Sequence, residues 1–117
     1  MKGVLKMTKY EKLTVDLKTA YKTALKACKE TDEGGTMNFD APGLWLPRWN
    51  TRQTEAAVKA AGFSAIKFEQ RFLNKPGFYM IAVNFGGVGN RNSKGAEAMT
   101  AALAALGYDT FCYCESD

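Results

Sequence analysis

The chain contains no histidine, and that one absence removes the usual routes to acid–base and nucleophilic catalysis. Neither a Ser/His nor a Cys/His pair can be assembled. Asp40, Glu55, Glu97 and Asp109 could each carry a proton, but nothing in their spacing marks two of them as a working pair. Zinc loses its usual nitrogen ligand, and Cys28, Cys112 and Cys114 are one short of a four-thiolate site. With an odd number of cysteines and no export signal, reduced thiols are expected rather than a disulfide framework. Cys112-x-Cys114 would place two sulfurs on one face of a strand, which suits two small core-facing residues better than a metal pair. No apolar run approaches the length of a membrane span, and the basic start Met1–Met7 lacks a continuous apolar region. The expectation is therefore a non-enzymatic, cytoplasmic protein with no metal, no cofactor and no membrane contact.

What is present fits one domain. The 117 residues are 46% hydrophobic and 24% charged, ordinary values for a globular chain with a single modest core. Lysine and arginine exceed the acids by 16 to 12, giving a net charge of +4. That balance favours anionic partners without naming one.

The periodicities define the elements. Thr8-Lys9-Tyr10-Glu11 is a capping box, followed by an apolar stripe at Leu13, Leu17, Ala20/Tyr21, Ala24/Leu25 and Cys28. A helix is predicted over 8–31, with residues 1–7 outside the fold. Lys18, Lys22, Lys26 and Lys29 make a basic ridge. It reads better as a solvated face than as a nucleic-acid contact, because no aromatics interleave it.

The core is predicted over 36–114. Thr36–Asp40 alternates like a strand, Pro42-Gly43 interrupts it, and Leu44–Leu46 resumes it. Asn50 with Gln53 starts a helix whose apolar face is Ala56, Ala57, Ala60 and Ala61. Ile66, Phe68 and Phe72 alternate with charged residues as a half-buried strand. A turn at Asn74-Lys75-Pro76-Gly77 leads to the most apolar strand, Phe78–Phe85. A last helix carries Ala96, Met99, Leu103 and Leu106 inward, and Tyr108–Cys114 is the final strand. The order α-β-α-β-β-α-β reads as an α+β two-layer sandwich of ferredoxin-like, split-βαβ type with an extra N-terminal helix.

Between the last two strands lies Gly86-Gly87-Val88-Gly89-Asn90-Arg91-Asn92-Ser93-Lys94. Glycines permit close backbone approach, and cations at a helix start suit an anion. The plainer account is a polar connection capped by Asn92 or Ser93. If the first and third strands lie side by side and point the same way, this loop meets the Pro47–Arg52 corner at one edge. Arg48, Trp49, Arg52, Asn90, Arg91, Asn92, Ser93 and Lys94 then form one candidate site, cations for phosphates and an indole for a base.

Several short segments carry a likeness. Gly34-Gly35-Thr36-Met37-Asn38-Phe39-Asp40-Ala41-Pro42, Leu46-Pro47-Arg48-Trp49, Gly89-Asn90-Arg91-Asn92-Ser93 and Gly107-Tyr108-Asp109 resemble small accessory proteins of phages and prophages of gut bacteria. The likeness spans roughly residues 31–114. It implies a setting in which non-enzymatic proteins counter bacterial immunity. Such proteins act as sponges for a nucleotide signal, or as anti-CRISPR inhibitors that contact a Cas effector. The candidate partners are thus an anionic nucleotide, a bacterial defence protein, nucleic acid through the lysine ridge, and a second copy of the chain in a homo-oligomer. The basic charge argues against DNA mimicry.

Overall fold

The computed structural model describes residues 7–29, 40–72, 75–83, 85 and 90–113; within these, the side chains of residues 29, 69–72, 75–77 and 90–92 are not described. The elements are α1 (Lys9–Lys29), β1 (Ala41–Trp45), α2 (Thr51–Ala60), β2 (Ser64–Phe72), β3 (Lys75–Ala82), α3 (Asn90–Ala105) and β4 (Asp109–Tyr113). The fold is α+β. Its four strands form one antiparallel sheet in the order β2-β3-β1-β4.

Local chemistry sets the helix ends. The Thr8 N–H donates to Glu11 Oε1 at 2.9 Å and the Glu11 N–H to Thr8 Oγ1 at 3.1 Å, the reciprocal capping box. Asn50 caps α2, its side chain accepting from the Gln53 N–H at 2.9 Å. Gly107, at φ +104, turns the chain out of α3. There the Gly107 N–H reaches Ala104 O and the Tyr108 N–H reaches Leu103 O.

All three helices cover one face of the sheet. Leu13, Leu17, Ala20, Ala24 and Cys28 of α1 join Ala57 and Val58 of α2 and Ala96, Met99 and Leu103 of α3. They pack on Leu44, Leu46, Tyr79 and Ile81 in a single core, and α1 touches both other helices. The opposite face is aromatic. Trp45 packs on Phe111 with centroids 4.3 Å apart, and Phe78 stacks on Phe68 at 4.8 Å and meets Phe111 edge-on at 5.0 Å.

Several expectations are corrected. Pro42 and Gly43 do not break the first strand but lie within it. Pro42 precedes the first β1–β3 pair, Gly43↔Met80. Gly43 is a close approach, since a Cβ there would sit 2.4 Å from Phe111 Cζ. Lys75, Pro76 and Gly77 belong to β3, with Phe72 paired to Lys75, so the turn is shorter than predicted. The inner face of α2 is Thr54, Ala57 and Val58, with Ala56 and Ala60 exposed. Ile66 is 46% exposed and Leu106 37%. Ile66 lies on the face away from the helices, while Leu106 falls after α3 has ended. Residues 30–39, 86–89 and 114–117, including the expected strand start at 36–39 and Cys114, lie outside the described residues.

The largest correction concerns direction. β1 and β3 are neighbours but run antiparallel. The connection through α2 returns the chain to begin β2 in the same direction as β1. The β2–β3 pairing is a hairpin, which reverses β3 against both. The ends of β1 and β3 therefore point to opposite ends of the sheet.

One buried polar cluster ties α1 to the start of β4. The Tyr108 hydroxyl donates to Asp16 Oδ2 at 2.6 Å, and Lys12 Nζ donates to the same oxygen at 2.6 Å. Burial first, then the Asp16 hydrogen bond and charge, push the Tyr108 hydroxyl well above its usual 10.0. The folded state thus holds this proton where the unfolded chain has lost it. The resulting stability is complete below pH 10 and is lost as pH rises above that value. Denaturant titrations from about pH 8 to about pH 11 are expected to show a steeper alkaline fall in the native chain than in Tyr108→Phe. Parallel curves would remove Tyr108 as the titrating group.

Candidate functional site

The eight residues expected to share one rim occupy two ends of the molecule. Arg48, Trp49 and Arg52 follow β1, whereas Asn90, Arg91, Asn92, Ser93 and Lys94 begin α3 after β3. Helix α1 measures the gap. Its Tyr10 hydroxyl accepts from the Asn50 N–H at 2.9 Å, while Cys28 Sγ lies against Gly95 at the other end. Eighteen residues of helix separate Tyr10 from Cys28, about 27 Å at 1.5 Å per residue. The corner after β1 and the start of α3 therefore lie too far apart to share one rim.

At the α3 end, the chain supplies its own anion. Ser93 Oγ donates to Asp40 Oδ2 at 2.6 Å, and Asp40 is buried at 8% exposure. A carboxylate beside the first turn of α3 suits the helix dipole and repels an incoming phosphate. Ser93 and Lys94 lie within the helix rather than before it, so Ser93 is not an N-cap. Lys94 is exposed. Asn90, Arg91 and Asn92 belong to α3, and their side chains lie outside the described residues.

At the β1–α2 corner the arrangement is different. Pro47 and Arg48 form a turn closed by the Trp49 N–H to Leu46 O at 3.3 Å. Arg48 has φ 67, a left-handed conformation that a residue with a Cβ adopts at a cost of about 1–2 kcal/mol. Such strain is found where geometry serves function. Trp49 is half-buried, its ring meeting Tyr10 edge-on at 5.2 Å. Lys9 Nζ lies 4.8 Å from the Trp49 centroid and 5.5 Å from that of Tyr10. Arg48, Arg52 and Lys9 are exposed, and among the described residues none is in an ion pair. Lys67 adds a fourth cation, donating to Thr51 Oγ1 at 3.0 Å beside the Tyr79 hydroxyl.

Two N–H groups of this corner are already used, Asn50 by Tyr10 and Gln53 by the cap. Exposed side-chain charge is the larger part of what the corner offers an anion. Beside it, sharing Tyr10, runs an open groove of about 290 Å³ between α1 and α2, lined by Tyr10, Glu11, Thr14, Gln53, Ala56 and Ala57. Sequence reasoning missed Lys9 and Tyr10 here. Their signal was a cation beside an aromatic in the first turn of a capped helix, but their contact with Trp49 is tertiary. No family model, no curated protein and no solved structure matches the chain.

Proposed function

We propose that the chain is a non-enzymatic binding protein that captures a phosphate-bearing nucleotide at the Trp49 corner. One observation carries this reading: exposed Lys9 lies 4.8 Å from the centroid of the half-buried Trp49 indole, which the exposed Arg48 and Arg52 flank in the chain. Phosphate oxygens suit the guanidinium groups, and a flat base suits the indole. In the anti-defence setting that the phage resemblance implies, the role is to sequester a nucleotide signal. We read the strand order as the ferredoxin-like, split-βαβ arrangement, which carries the corner on a rigid sheet end.

Calorimetry and tryptophan fluorescence with cyclic oligonucleotides and cyclic ADP-ribose isomers test this. Trp45 is buried at 8% exposure, so a ligand-dependent change reports Trp49. Charge-assisted contacts are worth about 1.5–3 kcal/mol, so Arg48→Ala and Arg52→Ala should each weaken binding about tenfold or more. Lys94→Ala, at the opposite end, should not. No heat with any of these ligands, or equal weakening by Lys94→Ala, rejects the corner.

A second reading, inhibition of a Cas effector by surface contact, draws on the half-buried aromatics Phe68, Phe111 and Tyr113 of the sheet face away from the helices. Uninhibited cleavage across a panel of such nucleases would count against it.

A further inference from the structure

The groove beside the corner differs in chemistry from the corner itself. Its floor is apolar, made by Ala56, Ala57 and the Tyr10 ring, with polar groups from Glu11, Thr14 and Gln53. The Thr14 hydroxyl is occupied, donating to Ala57 O at 2.8 Å. Two polar side chains remain available. Glu11 uses Oε1 for the Thr8 N–H, leaving Oε2, and the Gln53 side-chain amide makes no hydrogen bond among the described residues.

We propose that this groove is a base-reading subsite selective for amino-bearing nucleobases, adenine, cytosine or guanine, over uracil. The inference rests on the nucleotide reading of the adjoining corner and specifies it. A carboxylate only accepts hydrogen bonds. It pairs with an exocyclic amino group and repels a carbonyl oxygen at the same position. The Gln53 amide both donates and accepts, so it complements a ring nitrogen beside an amino group. About 290 Å³ is at the lower end of small-molecule sites, and the groove is open, so it can hold one base while the rest of a larger ligand stays outside. Tyr10 forms the shared wall, lining the groove and meeting the Trp49 ring at 5.2 Å, so base and phosphate sites are neighbours.

The test compares AMP, CMP, GMP and UMP with inorganic pyrophosphate, by calorimetry on the full chain. At least one amino-bearing nucleotide is expected to bind about tenfold or more tightly than UMP. Glu11→Gln removes the charge while keeping a capping-box acceptor, and should erase that preference. Ala56→Leu fills the groove from an exposed helical position and should bring all four nucleotides to one common affinity. Pyrophosphate, which needs only the cations, should bind both variants no more weakly than the native chain. Equal binding of all four nucleotides, or a preference that survives Glu11→Gln, overturns the base subsite and leaves the cationic corner standing. Absence of binding by every nucleotide and by pyrophosphate overturns both.

Discussion

Leu17→Ala is expected to lower the free energy of unfolding by about 3–5 kcal/mol, the upper part of the range for leucine truncation in a tight core. Leu17 is 0% exposed and belongs to the one cluster that joins three helices to the sheet. Its neighbours on the same stripe, Leu13 and Ala20, are equally buried, so they cannot close the cavity without moving the helix. A domain of this size has about 5–15 kcal/mol in total, so the loss would be a large fraction of it. Val15, on the outer face and 47% exposed, supplies the control. Val15→Ala should change stability by less than about 0.5 kcal/mol. Urea unfolding of the two variants measures the difference. A loss below about 1 kcal/mol at Leu17 would mean that α1 is an appendage rather than the third member of the helical layer.

That contrast also shows what periodicity can reveal. Leu13, Leu17 and Cys28 were legible as buried because helical spacing groups them, whereas spacing left Ala20 or Tyr21 and Ala24 or Leu25 open, and the fold buries the two alanines. The capped starts of α1 and α2 were legible too, since capping needs only neighbours in sequence. The helical faces of α2 and of Leu106 were less accessible. They depend on where α1 packs and where α3 ends, which are tertiary facts. Pro42-Gly43 read as a break because both residues disfavour strands. Its actual cause, a Phe111 ring lying across Gly43, comes from 68 residues away.

The candidate site divided along the same line. Element order plus the hairpin determines that β3 opposes β1, and a shared edge for their following loops is inconsistent with that parity. The cations of the Trp49 corner were visible one by one, as Arg48 and Arg52. Lys9 and Tyr10 were not, because the first turn of α1 meets α2 only in the folded chain. At α3 the glycine-rich approach and the cations suggested an anion from outside, whereas the acid lay in the sequence at Asp40, 53 residues before the Ser93 that donates to it.

Gly95→Ala is expected to destabilise the fold by about 2 kcal/mol, against the direction of helix propensity. Alanine within an exposed helix improves on glycine by about 1 kcal/mol. Here the new Cβ would lie 2.4 Å from Phe85 Cγ, 2.6 Å from Phe85 Cδ1 and 2.7 Å from Cys28 Sγ. Cγ is the root of the ring, so rotation about the ring axis does not clear it. Phe85 and Cys28 are 3% and 2% exposed, leaving neither a direction of escape. Overpacking of this kind costs about 1–3 kcal/mol, with the lost close approach of α3 added to it. Gly43→Ala meets an overlap of the same size, 2.4 Å, but with Cζ, the far tip of Phe111. Phe111 is only half-buried, so its ring can swing aside and the loss should be smaller. Denaturant unfolding of the pair should therefore rank Gly95→Ala below Gly43→Ala. A stabilised Gly95→Ala would mean that α3 does not rest on Phe85 and Cys28. Nucleotide affinity separates packing from binding in the same protein. Gly95 lies at the end where Asp40 already supplies an anion, so Gly95→Ala should lose stability while leaving the nucleotide affinity proposed for the Trp49 corner unchanged.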